Sequence, residues 1–248
     1  MTTEQFDQQL AIVTGATKGI GRAITASLLA QGATVIGVYG GDQGAAYQLL
    51  QEYGNCEGRL RLHQCDVADY NAVSTLYGNI EDEFGSIDIL ISNAGIRRDG
   101  VLAMMPEEDW LRVIDVNLNG SYNMAKFAVM LMLKKKYGRI IFITSPMAYL
   151  GFAGQANYAA SKAGQIGLMR SLSKETAKRK ITVNCVSPGF IDTELISGLS
   201  PEKKAMYQKM VPIARFGTPE EVAAAVLFLA GRQAAYITGS VLEINGGI

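Results

Sequence analysis

From one end to the other, the chain alternates short, almost unbroken apolar runs with longer stretches of helical periodicity. The apolar runs Leu10–Thr14, Thr34–Val38, Arg61–Cys65, Ile87–Ser92, Gly138–Thr144, Thr182–Ser187 and Val241–Ile244 predict strands. Strands that read as continuous apolar runs belong to parallel sheets covered by helices on both faces. The helical pattern predicts helices over Ile20–Gln31, Gly44–Tyr53, Ala72–Phe84, Glu107–Lys136, Tyr158–Lys178 and Pro219–Ala230. "TPEEV" is a helix start, with Thr218 as cap, Pro219 first in the helix and Glu221 closing a capping box. No linker, repeat or low-complexity tract interrupts the alternation. The expectation is one doubly wound α/β domain over residues 1–248, a seven-stranded parallel sheet with helices on both faces.

Asp192 to Gly217 breaks the rhythm with two short helical stretches, "TELISGL" and "SPEKKAMYQKM". Insertions at the carboxyl ends of strands lie where open α/β sheets bind ligands. Leu195, Ile196, Met206, Tyr207 and Met210 suit the segment, about 192–217, to cover an apolar substrate. A packed structural flap is the equal alternative.

Composition narrows the class. A 48% hydrophobic chain with 19% charged residues builds a sizeable core. Lys plus Arg equals Asp plus Glu at 23 each, so no overall field draws nucleic acid or an anionic membrane. The start "MTTEQFDQQLAIVTGA" lacks the basic-then-apolar pattern of a secretory signal, and no apolar run reaches the roughly 18 residues of a membrane span. Cys56, Cys65 and Cys185 show no metal-ligand spacing and read as reduced thiols of a cytoplasmic protein, with no metal site expected. The single histidine, His63, sits in a strand and reads as structural.

Candidate chemistry gathers at predicted strand ends. "VTGATKGIGRA" joins the first strand to the first helix, and Gly15, Gly19 and Gly21 permit a tight turn beneath a helix N-terminus that can hold a pyrophosphate. The second strand ends in Val38 and Tyr39 without the acidic residue that would bind an adenosine 2′-hydroxyl. Asp42 falls later, at the next helix cap. That leaves room for a 2′-phosphate, with Lys18, and secondarily Arg22, as matching cations, and favours NADP(H) over NAD(H). A solvated loop lysine is the plain alternative for Lys18. Asp66 and Val67 follow the third strand, and "NAG", Asn93 to Gly95, follows the fourth. Further on, Tyr158 and Lys162 are four residues apart and so share a helical face, with Ser145 ending the preceding strand.

In order and spacing, "TGATKGIG", "NAG", Asn117, Ser145, "YAASK" and "VSPGFIDT" resemble the short-chain dehydrogenase/reductase family, over essentially the whole chain. "GQANYAASKAGQIGL", "ITVNCVSPGFIDTEL" and "AAYITGSVLEINGG" are similar, more narrowly, to β-ketoacyl-(acyl carrier protein) reductases. The resemblance implies a Rossmann-type fold and a catalytic set of Asn117, Ser145, Tyr158 and Lys162. Tyr158 would protonate a ketone oxygen, and Ser145 would stabilise its developing charge. Lys162, with the positive charge of an oxidised nicotinamide, would lower the phenol's pKa from about 10, and Lys162 would also bind the nicotinamide ribose. Asn117 would hold a water connecting Lys162 to solvent. NADP(H) would lie on Gly15, Thr17, Lys18, Gly19, Ile20 and Gly21, pass Tyr39, Asp66, Val67, Asn93, Ala94 and Gly95, and end at Tyr158, Lys162, Pro188, Gly189, Ile191 and Thr193.

The resemblance further implies a 3-oxoacyl thioester substrate on acyl carrier protein and a homo-oligomer, the family's usual tetramer. Lys136 and Arg179 fall where such reductases carry carrier-docking residues, beside Lys134, Lys135, Lys178 and Lys180. Cations at helix C-termini are favoured by the macrodipole in any case. Pro146, Met147, Ala148 and Tyr149, with Met104, Met105 and Phe152, depart from the small residues usual in housekeeping reductases. They suggest a pocket reshaped for a polyene or polyketide chain. A reductase of a free ketone or alcohol, and a non-catalytic nucleotide-binding subunit, are the alternatives.

Overall fold

The computed structural model describes residues 5–54, 56 and 58–248. Seven parallel strands form one sheet in the order β3-β2-β1-β4-β5-β6-β7. They are β1 (Leu10–Thr14), β2 (Thr34–Tyr39), β3 (Leu60–Gln64), β4 (Ile89–Ser92), β5 (Gly138–Ile143), β6 (Ile181–Pro188) and β7 (Val241–Ile244). The helices are α1 (Gly19–Ala30), α2 (Gln43–Tyr53), α3 (Tyr70–Phe84), α4 (Glu107–Ile114), α5 (Gly120–Lys135), α6 (Met147–Leu150), α7 (Ala156–Thr176), α8 (Glu194–Ser197), α9 (Pro201–Met210) and α10 (Pro219–Ala230). The strands and the predicted long helices match to within a few residues, and the Thr218–Glu221 capping box is formed.

Alternation along each strand divides the core. Ile12, Ile36, Leu90, Ile140, Phe142 and Val183 face Tyr77, Met124, Ala128 and Met169 of α3, α5 and α7. Ala11, Val13, Val35, Ile89, Ile91 and Ile141 face Ile24, Leu28, Val222 and Val226 of α1 and α10. Strand order reverses between β1 and β4, the switch point where such sheets open a ligand crevice at their carboxyl edge.

One predicted helix is not continuous. Glu107–Lys136 is interrupted by a π-helical segment, Asp115–Asn119, between α4 and α5. The Asn117 carbonyl accepts from Ser121 Oγ at 2.7 Å and Gln165 Nε2 at 2.9 Å. Such bulges concentrate at functional sites.

Leu90 is fully buried at the centre of the sheet, between β1 and β5. Truncating it by Leu90→Ala is expected to cost about 2–5 kcal/mol. The urea midpoint should fall at an unchanged denaturant slope.

Candidate active site

A cleft of about 490 Å³ opens at the carboxyl edge of the sheet. Ile20, Asn93, Gly95, Ser145, Tyr158 and Lys162 line it, as do Pro188, Gly189, Ile191 and Thr193. Ten of the expected site residues, carried on five separate segments, therefore meet in one place.

Asn93 fastens two of these segments together. Its Nδ2 donates to Thr14 O at 2.9 Å, while the backbone N–H groups of Asn93 and Ala94 donate to Thr14 Oγ1 at 2.9 and 2.8 Å. Packing beneath the loop leaves no room for side chains. A Cβ on Gly21 would stand 2.0 Å from Gly15 O, and one on Gly15 2.8 Å from Asn93 Nδ2, at a φ of +65°. α1 then opens on Lys18 without a side-chain cap, leaving its first N–H groups for an anion. This cradle fits a dinucleotide pyrophosphate.

Thr17, Lys18 and Gly19 also line a second cleft with Arg22, Asp42 and Glu194. Lys18 Nζ lies 2.6 Å from Asp42 and 3.5 Å from Glu194, and Arg22 pairs with Glu52. The cations expected to meet a 2′-phosphate are thus engaged by carboxylates. All these side chains are about half exposed or more, and exposed pairs contribute little, so a phosphate dianion can displace them. Tyr39 ends β2 without lining either cleft. Asp66 is held by Arg112 Nη2 at 2.8 Å, and Val67 packs under Gly120.

Asn117, fully buried, ties the loop after β4 to α7. Its Oδ1 accepts from Ile96 N at 2.8 Å, and its Nδ2 donates to Ile96 O at 3.0 Å and Ser161 Oγ at 3.1 Å. Ser161 Oγ in turn donates to Tyr158 O at 2.7 Å. Lys162 Nζ lies 5.6 Å from the centre of the Tyr158 ring and donates to Ile143 O at 2.7 Å. Burial brings the Lys162 amine down to about 8.

The expected depression of the Tyr158 phenol is not met in the protein's own field. Burial raises it above the ordinary value, against the opposing Ser145 hydroxyl and the Arg97 guanidinium. Burial disfavours the phenolate more than the neighbouring groups favour it.

The departures around Ser145 also sort themselves. Pro146, Met147 and Phe152 line the cleft, whereas Tyr149 is half exposed and bonds Glu243 at the surface, and Met104 is 85% exposed. Phe190 and Tyr207 join the wall, their rings stacked at 4.8 Å, with Phe152 edge-on to Tyr207 at 5.9 Å. Of the covering segment, Ile196 and Tyr207 line the cleft, while Met206 and Met210 are exposed. The Leu195 side chain lies outside the described residues.

Lys136 and Arg179 stand elsewhere. Both follow helices that run back to the amino edge of the sheet, ahead of β5 and β6. Arg179 is about 30 Å from Tyr158 along α7 at roughly 1.5 Å per residue. The expected dock is therefore not beside this chain's own cleft. The cysteines are free, Cys65 and Cys185 buried, and His63 lies on β3.

Residues 15–248 match the family described as enoyl-(acyl carrier protein) reductase. The chain belongs to the short-chain dehydrogenase/reductase family. It is 44% identical over 243 residues to the 3-oxoacyl-(acyl-carrier-protein) reductase FabG of Escherichia coli (strain K12), covering 98% of each chain. It is 45% identical over 244 residues to the enzyme of that name from Vibrio harveyi, again over 98% of each. With the Haemophilus influenzae enzyme the identity is 43% over 240 residues, 97% of this chain and 98% of the relative.

Several residues that hold the site were assigned no role from the sequence, although Thr14, Ser161 and Gln165 lie within its quoted motifs. Thr14, Ser121, Ser161 and Gln165 are ordinary small or polar residues whose partners lie far along the chain. Arg97 had a sequence signal available: a charge two residues beyond "NAG", at a sheet edge already marked as a site.

Asn117→Ala would leave both polar groups of Ile96 and the Ser161 hydroxyl without their partner. The expected loss is about 1–3 kcal/mol, read from urea unfolding. Asn117→Asp should recover little of it, because a carboxylate accepts from Ile96 N but cannot donate to Ile96 O.

Proposed function

We propose that this protein reduces 3-oxoacyl thioesters, carried on acyl carrier protein, to 3-hydroxyacyl thioesters with NADPH, in fatty-acid or related polyene- or polyketide-type synthesis. The observation that carries this reading is the convergence of Ser145, Tyr158 and Lys162 in one largely apolar cleft whose floor continues to the glycine loop. The identity to relatives named for this reaction supports it.

Bound NADPH supplies the hydride. The chain's residues do the rest. The ketone oxygen lies between the hydroxyls of Ser145 and Tyr158; Ser145 donates a hydrogen bond to the charge that builds there, and Tyr158 gives up its proton. A phenol raised by burial stays protonated through neutral pH, which suits the reducing direction. Lys162 faces the phenol ring and the ribose side of the cleft. Asn117 acts through Ile96 and Ser161, holding the loop after β4 and the start of α7 in register.

We read residues 192–217 as the cover of an acyl chain, with Tyr207 and Phe190 as its aromatic wall. The chain acts as one domain in a cytoplasmic homo-oligomer. Exposed Tyr122, Met130 and Leu133 on α5, and Phe228 and Tyr236 near the carboxyl end, are two apolar faces of the kind a tetramer covers. In such an assembly Lys136 and Arg179 would serve a neighbouring subunit's cleft.

The test is NADPH oxidation across 3-oxoacyl thioesters of graded length and unsaturation, with NADH, a 2-enoyl thioester and a free ketone as controls. Turnover of the 3-oxoacyl substrates is expected, falling at least about 100-fold in Tyr158→Phe. Reduction of the enoyl thioester or the free ketone alone would reject the assignment.

A further inference from the structure

The loop leaving β4 brings a guanidinium into the cleft. Arg97 lines the wall with its Cζ 6.0 Å from the centre of the Tyr158 ring, and its side chain is only a quarter exposed. Its neighbours there include Ile96, Phe152 and Tyr207. A cation in such surroundings needs a partner. Asp99 supplies it, accepting from Arg97 Nε at 3.3 Å and from Nη2, and Gln155 Nε2 donates to the same carboxylate at 3.2 Å.

The loop is latched to the helix that carries Tyr158. Asn157 Nδ2 donates to Arg98 O at 2.9 Å, Gly100 N to Gly154 O at 2.8 Å, and Arg98 pairs with Asp109 of α4 at 2.8 Å. Gln155 and Asn157 are within three residues of Tyr158, so the anchors of the loop and of the phenol are the same short stretch of chain. These bonds hold the backbone of the loop beside Tyr158, and Asp99 holds the Arg97 side chain.

Few charged or titratable groups face the phenol. Arg97 and Asp99 come from this loop, Lys162 from the next turn of α7, and Tyr207 from α9 stands near Arg97. Cys185 of β6 lies near Lys162, its thiol pushed by burial to about 12 and so neutral. Ser145 contributes a neutral hydrogen bond. Burial raises the Tyr158 phenol, Ser145 and Arg97 pull it down, and Asp99 pushes it up. Lys162, at about 8, loses its charge in weakly alkaline solution, whereas a guanidinium keeps its own.

We propose that Arg97 is a positioning residue for the ketone reduction read above, a second cation whose field, moderated by Asp99, governs how readily Tyr158 releases its proton. The two partners therefore act with opposite sign. Removing Arg97 leaves Asp99 facing the phenol and makes it a weaker acid. Neutralising Asp99 leaves Arg97 unopposed and makes it a stronger one.

The experiment labels tyrosine Cζ with 13C in the wild-type protein and in Arg97→Met, Arg97→Lys, Asp99→Asn and Tyr158→Phe. The last identifies the Tyr158 signal by its loss. Arg97→Met should move the Tyr158 titration up by about one unit, Asp99→Asn should move it down, and Arg97→Lys, whose amine loses its charge in the alkaline range where the phenol titrates, should also move it up. The alkaline fall of ketone reduction should move in the same directions, because reduction uses the protonated phenol. Shifts of the same sign in Arg97→Met and Asp99→Asn, or no shift in either, would overturn the proposal. Asp99→Asn retains Arg97, so it tests the idea even if Arg97→Met folds poorly. Failure of the wild type to reduce 3-oxoacyl thioesters would sink the functional reading instead, and the NMR titration would still decide the role of Arg97.

Discussion

The site rests on the Asn117 side chain. Three hydrogen bonds from one buried amide fix Ile96 at the end of the fourth strand and Ser161 in the first turns of α7. Through Ser161 the constraint reaches the Tyr158 backbone, and through Ile96 it reaches the loop that carries Arg97. Asn117 itself lies in the π segment Asp115–Asn119, between α4 and α5. Buried amides of this kind are valuable only when fully satisfied, and this one is.

Around that hinge point the fold separates two tasks. The crevice between β1 and β4 holds backbone N–H groups and glycines against a phosphate-bearing ligand, with Thr14 and Asn93 as struts. The crevice above β5 and β6 gathers hydroxyls and cations within an apolar wall. Burial serves both the amine and the phenol, but in opposite senses. It lowers Lys162 towards neutrality and keeps Tyr158 protonated. The groups that oppose the rise at Tyr158, Ser145 and Arg97, come from two different loops, so the proton donor is tuned by contacts distant in sequence.

Much of this was legible beforehand. Apolar runs located the inner strands because buried parallel strands leave few polar positions, whereas the edge strand β3, LRLHQ, is partly exposed and carries polar residues. Gly15, Gly19 and Gly21 announced a close backbone approach, and the structure shows what a Cβ would strike. What escaped reading was set by tertiary partners. Ser121 and Gln165 bond to the carbonyl of Asn117 within the π segment, and neither marks "DVNLN" as irregular. The lysine-rich helix ends looked like a dock at the cleft until sheet direction placed them at the opposite edge. Tyr149 and Met104 looked like pocket residues because sequence proximity to Ser145 or a loop cannot tell which way a side chain turns. The fall of the Tyr158 phenol was expected from Lys162 and an oxidised nicotinamide, and in the protein's own field burial has the larger effect.

The central claim is that the carbon accepting hydride is the one whose oxygen lies between Ser145 and Tyr158. The most direct measurement is product analysis after reduction of a 3-oxoacyl thioester by NADPH deuterated at both C4 positions. The account predicts a 3-hydroxyacyl thioester carrying one deuterium at C3. A saturated product, an unlabelled alcohol or deuterium at C2 would contradict it.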